Sequence, residues 1–209
     1  MMADGAVLEA RVINAWRGDR HVLRDVSFDI AAGDFLKVTG PNGVGKTTLL
    51  RVLCGLLPPE SGEARWRGRN VAPHDPGFSA ELAYLGHANA LKADLSAREN
   101  LAFLVGLRRR LAAPDIDAAL ERVGIARCGD LPARSLSAGQ RRRLTLARLW
   151  LTPAVLWILD EPATNLDADG VGLAESLIRE HTRRGGLVVA AAHQRLLDDD
   201  AATRRLELS

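Results

Sequence analysis

With 209 residues, 47% of them apolar and 26% charged, the chain is long enough to bury one sizeable core or a compact pair of lobes. A formal net charge of +2 is too small to signal nucleic acid, and no apolar run approaches the length that spans a bilayer. Met1-Met2-Ala3-Asp4-Gly5 lacks a basic stretch followed by an apolar core, and Cys54 and Cys128 lack metal-ligand spacing, so the expectation is a cytoplasmic protein with free thiols that take no part in its chemistry.

Residues 7–13 and 22–30 partly alternate apolar with polar, as half-buried strands do, and the second ends in the turn Ala31-Ala32-Gly33-Asp34. Trp16 falls between them, in what reads as a loop. There its ring can stack on an adenine face or pack against its own hairpin, and both readings stay open. Next comes the apolar run Phe35-Leu36-Lys37-Val38-Thr39, then Gly40-Pro41-Asn42-Gly43-Val44-Gly45-Lys46-Thr47-Thr48, then Leu49-Leu50-Arg51-Val52-Leu53. This is a strand, a complete G-x-x-x-x-G-K-[ST] loop and a helix. The glycines let several backbone N–H groups turn inward, and the helix adds its positive end, so the loop is a cage for a polyphosphate. Lys46 would reach the β- and γ-phosphates and the Thr47 hydroxyl would hold Mg²⁺.

Gly55 and Pro58-Pro59 stop that helix; residues 62–68 read as a short strand, 71–81 as loop, and Leu82-Ala83-Tyr84-Leu85-Gly86 as a strand with His87 at its C-terminal end, where ligand-facing residues collect. From Ser96 to about Val123 the period turns helical, with a Ser96–Glu99 capping box and a break at Pro114. The basic runs Arg108-Arg109-Arg110 and Arg141-Arg142-Arg143 read as solvated helix faces. In Leu136-Ser137-Ala138-Gly139-Gln140, Ser137 is a good N-cap beside small residues, which makes the following helix start a second potential anion site.

The continuous apolar run Val155-Leu156-Trp157-Ile158-Leu159 reads as a strand covered on both faces and ends in Asp160-Glu161. Adjacent carboxylates at a buried strand end are costly unless a cation or a reacting water needs them, so Asp160 is assigned to Mg²⁺ and Glu161 to the attacking water. A turn at Thr164-Asn165-Leu166-Asp167, a helix over about 169–181 and a buried strand at 187–191 lead to His193, placed to donate to a γ-phosphate.

In this order and spacing the motifs resemble the nucleotide-binding subunit of an ABC transporter over nearly the whole chain; the signature matches but for Ala138. The resemblance implies an α/β fold of the P-loop NTPase, ABC ATPase type: a mixed-sheet core with N-terminal antiparallel strands and an inserted helical subdomain. One domain would fill 1–209, its core about 1–86 and 152–209 and its helical part about 87–151. It implies an ATPase that uses ATP and Mg²⁺, in a head-to-tail homodimer where Ser137, Ala138, Gly139 and Gln140 of one chain close on the nucleotide held by Lys46 of the other. Trp16 then matches the adenine-stacking position, Asp167 the turn coupling the two sites, and His193 the switch histidine. His87 stands where the family has glutamine, which favours a coupling or water-mediated role over metal ligation. Gly86-His87, the Ala-Arg-Leu-Trp stretch after the signature, His181-Thr182 and His193-Gln194 further resemble the ATPase subunits of bacterial cytochrome c maturation. The implied partners are integral membrane permease subunits, CcmB- and CcmC-like, at the cytoplasmic face of the inner membrane, with no direct nucleic acid and no direct haem binding. Another transporter's ATPase and a soluble ABC ATPase are the alternatives.

Overall fold

The computed structural model describes residues 6–192, 196–198 and 203–209. Strands β1 (Ala6–Arg17) and β2 (Arg20–Ala31) make a long antiparallel hairpin. Both outrun the alternating pattern because each is kinked: Val12 and Asp25 take positive φ angles of 48° and 49°, and the register slips beside them. A bulge reverses which side chains face the core, so the period of two breaks and the sequence signal fades. Asn14 pins the kink, donating to Asp25 Oδ1 at 2.9 Å and accepting from the Asp25 N–H at 3.1 Å. Trp16 therefore stands in β1 rather than in a loop.

After β3 (Phe35–Thr39) and α1 (Lys46–Leu53), strands β4 (Ser61–Trp66) and β5 (Arg69–Asn70) complete a four-stranded sheet of order β2-β1-β4-β5. Residues 71–81 are not all loop: α2 (Pro76–Glu81) is capped by Asp75, which accepts from the Gly77 and Phe78 N–H groups at 2.8 and 3.3 Å. Six residues are too few to display a helical period, yet the cap followed by proline is a helix start.

Then follow β6 (Leu82–Leu85), α3 (Ala97–Gly106), α4 (Ala113–Arg122), α5 (Ala138–Leu151), β7 (Leu156–Asp160), α6 (Ala168–Arg183), β8 (Leu187–Ala191) and β9 (Thr203–Glu207). A second sheet has the order β6-β7-β8-β3-β9, and the β7–β8, β8–β3 and β3–β9 pairs are parallel. Every residue of β7 and β8 is buried, as their unbroken apolar runs require for strands covered on both faces. Edge strand β9 has no such run, since most of its side chains meet solvent.

The chain divides into two compact units. The first holds the residues up to Tyr84, Ala154–Glu161 and those from Ile178 onward; its core includes Leu8, Ile30, Val38, Leu49, Ile158 and Val189. The second, Leu85–Pro153 with Pro162–Leu177, is helical and buries Leu101, Val105, Leu120, Leu144 and Ala147. Its helix starts are set locally. Ser96 and Glu99 exchange cap hydrogen bonds of 3.2 and 2.7 Å at α3, and Pro114 falls in the first turn of α4, where a missing N–H costs nothing.

Candidate active site

In the first unit, the buried strand β3 delivers the chain into the glycine-rich loop, and α1 begins at Lys46. Gly40 and Gly45 have φ angles of 137° and 125°; a Cβ there would lie 2.4 Å from Leu208 O and 2.6 Å from Val22 O, so no other residue fits. Pro41, Asn42 and Gly43 are exposed while Val44 turns into the core, which anchors the loop and leaves its rim open. Lys46 arches back over the loop: its ammonium donates to Gly40 O at 2.8 Å and Pro41 O at 3.1 Å. Burial draws the Lys46 pKa below the ordinary lysine value, and the Glu161 and Asp160 carboxylates push it back up. Thr48 follows on the same helix, half-buried.

Opposite the helix start, β7 ends at Asp160, which is 2% exposed and accepts a 2.9 Å hydrogen bond from Thr47 Oγ1. Glu161 follows with φ at 52°, its N–H donating to Ala191 O at 2.9 Å. A glutamate in the left-handed region costs about 1–2 kcal/mol, a conformation that persists when its surroundings enforce it and that collects at functional sites. Lys46, Thr47, Asp160 and Glu161, far apart in sequence, thus meet at one end of the parallel sheet. A hydroxyl and a carboxylate oxygen within 2.9 Å of each other are the hard oxygen donors that Mg²⁺ takes when phosphates and waters supply the rest of its shell. Among the described residues no group of three or more His, Cys, Asp and Glu could hold a metal by itself. His193 lies outside the described residues.

Trp16 is 51% exposed. One face of its indole stacks on the cross-strand His21, with ring centroids 4.6 Å apart and planes at 4°. The ring is held flat by the hairpin and keeps much of its surface in solvent, so packing and ligand stacking are compatible. Trp16→Ala is expected to weaken nucleotide binding by about 0.5–1.5 kcal/mol, equally for adenine and guanine nucleotides, in a calorimetric titration. Unchanged binding would leave Trp16 with the hairpin role alone.

In the second unit, Ser137 caps α5. Its hydroxyl oxygen accepts from the Gln140 N–H at 3.1 Å, and Gln140 Oε1 accepts from the Ser137 N–H at 2.8 Å. Gln140 Nε2 also reaches Cys128 Sγ at 3.4 Å, so the glutamine side chain faces inward, while Ser137 and Ala138 are exposed and Gly139 half-exposed. The Ser137 hydroxyl proton remains available to an outside acceptor. Asp167 accepts from Arg143 Nη2 at 2.8 Å and the Gly170 N–H at 3.0 Å, which hold its carboxyl below the usual carboxylate range. His87 is exposed in the bend after β6.

The run Arg141-Arg142-Arg143 is not the solvated face that its charge suggests. Arg141 Nη1 donates to Leu136 O, Arg143 grips Asp167, and Arg142 is 2% exposed. Arg142 Nε donates to Pro162 O at 3.0 Å; its Nη1 donates to Asn89 Oδ1 at 3.1 Å and, at the long distance of 3.5 Å, to Gly86 O. A sign was present in the sequence: three consecutive residues on a helix point in three directions, so they cannot share one solvated face.

A phosphate loop between a buried parallel strand and a helix, with a threonine and a strand-end Asp-Glu pair beside it, defines a P-loop nucleoside triphosphatase. Residues 23–164 match the ABC transporter family. Cytochrome c biogenesis ATP-binding export protein CcmA 2 of Cupriavidus metallidurans is 52% identical over 198 residues, which cover 93% of this chain and 92% of that protein. The protein named CcmA in Methylococcus capsulatus is 46% identical over 205 residues, covering 98% and 99%. The fold is that of a putative ABC transporter ATP-binding protein from Pyrococcus furiosus, with a TM-score of 0.83, 24% identity and 96% of each chain aligned. The chain belongs to the ABC transporter family of ATP-binding proteins, and within it to the CcmA proteins.

Proposed function

We propose that the chain is the ATP-hydrolysing subunit of a membrane complex for cytochrome c maturation, converting ATP and water to ADP and phosphate. The observation that carries the hydrolytic part of this reading is the Thr47–Asp160 hydrogen bond of 2.9 Å with Glu161 next in the chain, and the likeness to the CcmA proteins carries the rest. Lys46 and the loop N–H groups hold the phosphates, and Glu161 takes the proton of the attacking water as its oxygen bonds to the terminal phosphorus and the bond from that phosphorus to the bridging oxygen breaks, releasing ADP. Thr47 and Asp160 would hold Mg²⁺, which supplies charge neutralisation at the phosphate oxygens. Trp16 supports the base, and His193 donates to the terminal phosphate.

The open face at Ser137, Ala138 and Gly139, backed by Gln140, supports a head-to-tail homodimer in which that helix start caps the nucleotide of the partner chain; Asp167 serves the coupling between the two sites. The core at about 1–86 and 152–209 binds nucleotide and the part at about 87–151 carries the signature. Among the described residues no helix is long and apolar enough to cross a membrane. In this reading the subunit works at the cytoplasmic face of the inner membrane, bound to permease subunits of the CcmB and CcmC kind, which handle the haem while the ATPase does not touch it.

Expression with those permeases, followed by purification, tests the assembly: recovery of the chain without any polytopic membrane protein would favour a soluble ABC ATPase. His87 supplies a second check. His87→Ala is expected to leave ATP hydrolysis by the isolated chain within about threefold, less than the ~10²-fold cost of losing an acid–base group, yet to abolish cytochrome c maturation in cells. A steep fall in hydrolysis with a raised Mg²⁺ requirement would put His87 in the metal shell, and normal maturation would remove both roles.

A further inference from the structure

Arg142 is a buried cation on α5 whose rigid fork reaches two separate pieces of backbone. One is the bend Gly86-His87-Ala88-Asn89, gripped from both sides of His87 through Gly86 O and Asn89 Oδ1; the other is the carbonyl of Pro162. Pro162 is bonded directly to Glu161, and that neighbour matters. A residue before proline is pressed toward extended conformations, yet Glu161 sits at a φ of 52°. Such a conformation persists where the surrounding structure enforces it. Ala191 O takes the Glu161 N–H at 2.9 Å upstream, and Arg142 Nε holds the Pro162 carbonyl at 3.0 Å downstream. Burying a guanidinium is expensive unless its donors are satisfied in fixed directions, so the same hydrogen bonds that stabilise Arg142 lock these backbone pieces in place.

We infer that Arg142 is a positioning residue for ATP hydrolysis: it holds the chain on the C-terminal side of Glu161 in the conformation that presents the base, and fixes the His87 bend with the same guanidinium. The inference rests on Glu161 being the base. It assigns Arg142 no contact with nucleotide.

The test is steady-state hydrolysis beside equilibrium ATP binding, on the full chain, for wild type, Arg142→Gln and Arg142→Lys, with circular dichroism to monitor the fold. Arg142→Gln is expected to lower kcat on the order of 10–100-fold, the scale of a displaced reacting group, with the ATP dissociation constant within about twofold, since uniform binding energy is untouched. Arg142→Lys keeps the charge but has no planar fork, so it is expected to stay folded and to recover less than about a tenth of wild-type kcat. Wild-type kcat in either variant overturns the inference while leaving the proposed function standing. So does equal loss of kcat and affinity, or loss of the fold in both variants, which would make Arg142 plain structural support. A wild-type chain that hydrolyses no ATP would instead sink the proposed function, and this inference with it.

Discussion

Glu161→Gln is expected to lower ATP turnover by a factor on the order of 10²–10⁴, the usual worth of a general base, while ATP still binds with near wild-type affinity. The amide is isosteric and keeps a hydrogen-bonding oxygen, but it cannot accept a proton at neutral pH. The backbone that carries it is held independently of the side chain, through the Glu161 N–H to Ala191 O, so the substitution removes chemistry without releasing strain. With hydrolysis blocked and binding intact, nucleotide should also accumulate between two chains, read as an ATP-dependent dimer by light scattering. Near wild-type turnover in this variant would mean that another group activates the water.

Lys46→Ala acts earlier, on binding. A hydrogen bond to a charged group contributes about 1.5–3 kcal/mol, so ATP affinity is expected to fall roughly 10–150-fold, with turnover reduced as well. Part of the effect is local, because Lys46 also ties Gly40 O and Pro41 O together, and the loop loses that brace. Burial lowers the Lys46 pKa, so in the nucleotide-free chain this lysine neutralises at lower pH than a solvated one. Its contribution to ATP affinity is then lost as pH rises, beginning below the ordinary lysine value of about 10.4. Affinity that is unchanged in Lys46→Ala would contradict the loop geometry, and a wild-type affinity flat up to that pH would contradict the lowered Lys46 pKa.

The parts of this site that were readable from sequence are those written in consecutive residues. A phosphate loop is eight positions in a row, and the strand-end carboxylates stand out because an apolar run leads straight into them. Ser137 and Ser96 announce helix starts for the same reason. What escaped is long-range or too short to repeat. The kinks at Val12 and Asp25 break the alternation on which strand limits depend, hiding that Trp16 lies in a strand. Helix α2 is shorter than two turns, and β9 is an edge strand whose polar residues face water and so carry no apolar signature. Arg142 looks like its neighbours in composition; only the helix that turns it inward, and the acceptors on Gly86, Asn89 and Pro162, distinguish it.

The place of β3 in its sheet has a consequence for the making of the protein. Its two partners, β8 and β9, come far later in the sequence, and the Leu208 N–H closes the ladder onto Thr39 O at 2.9 Å, one residue before the phosphate loop. A ribosome therefore releases the loop sequence well before the strands that hold it. Until then β3 is an apolar segment without a sheet, exposed to pairing with other chains. The cradle for the nucleotide is therefore finished only once both of these later strands have been made.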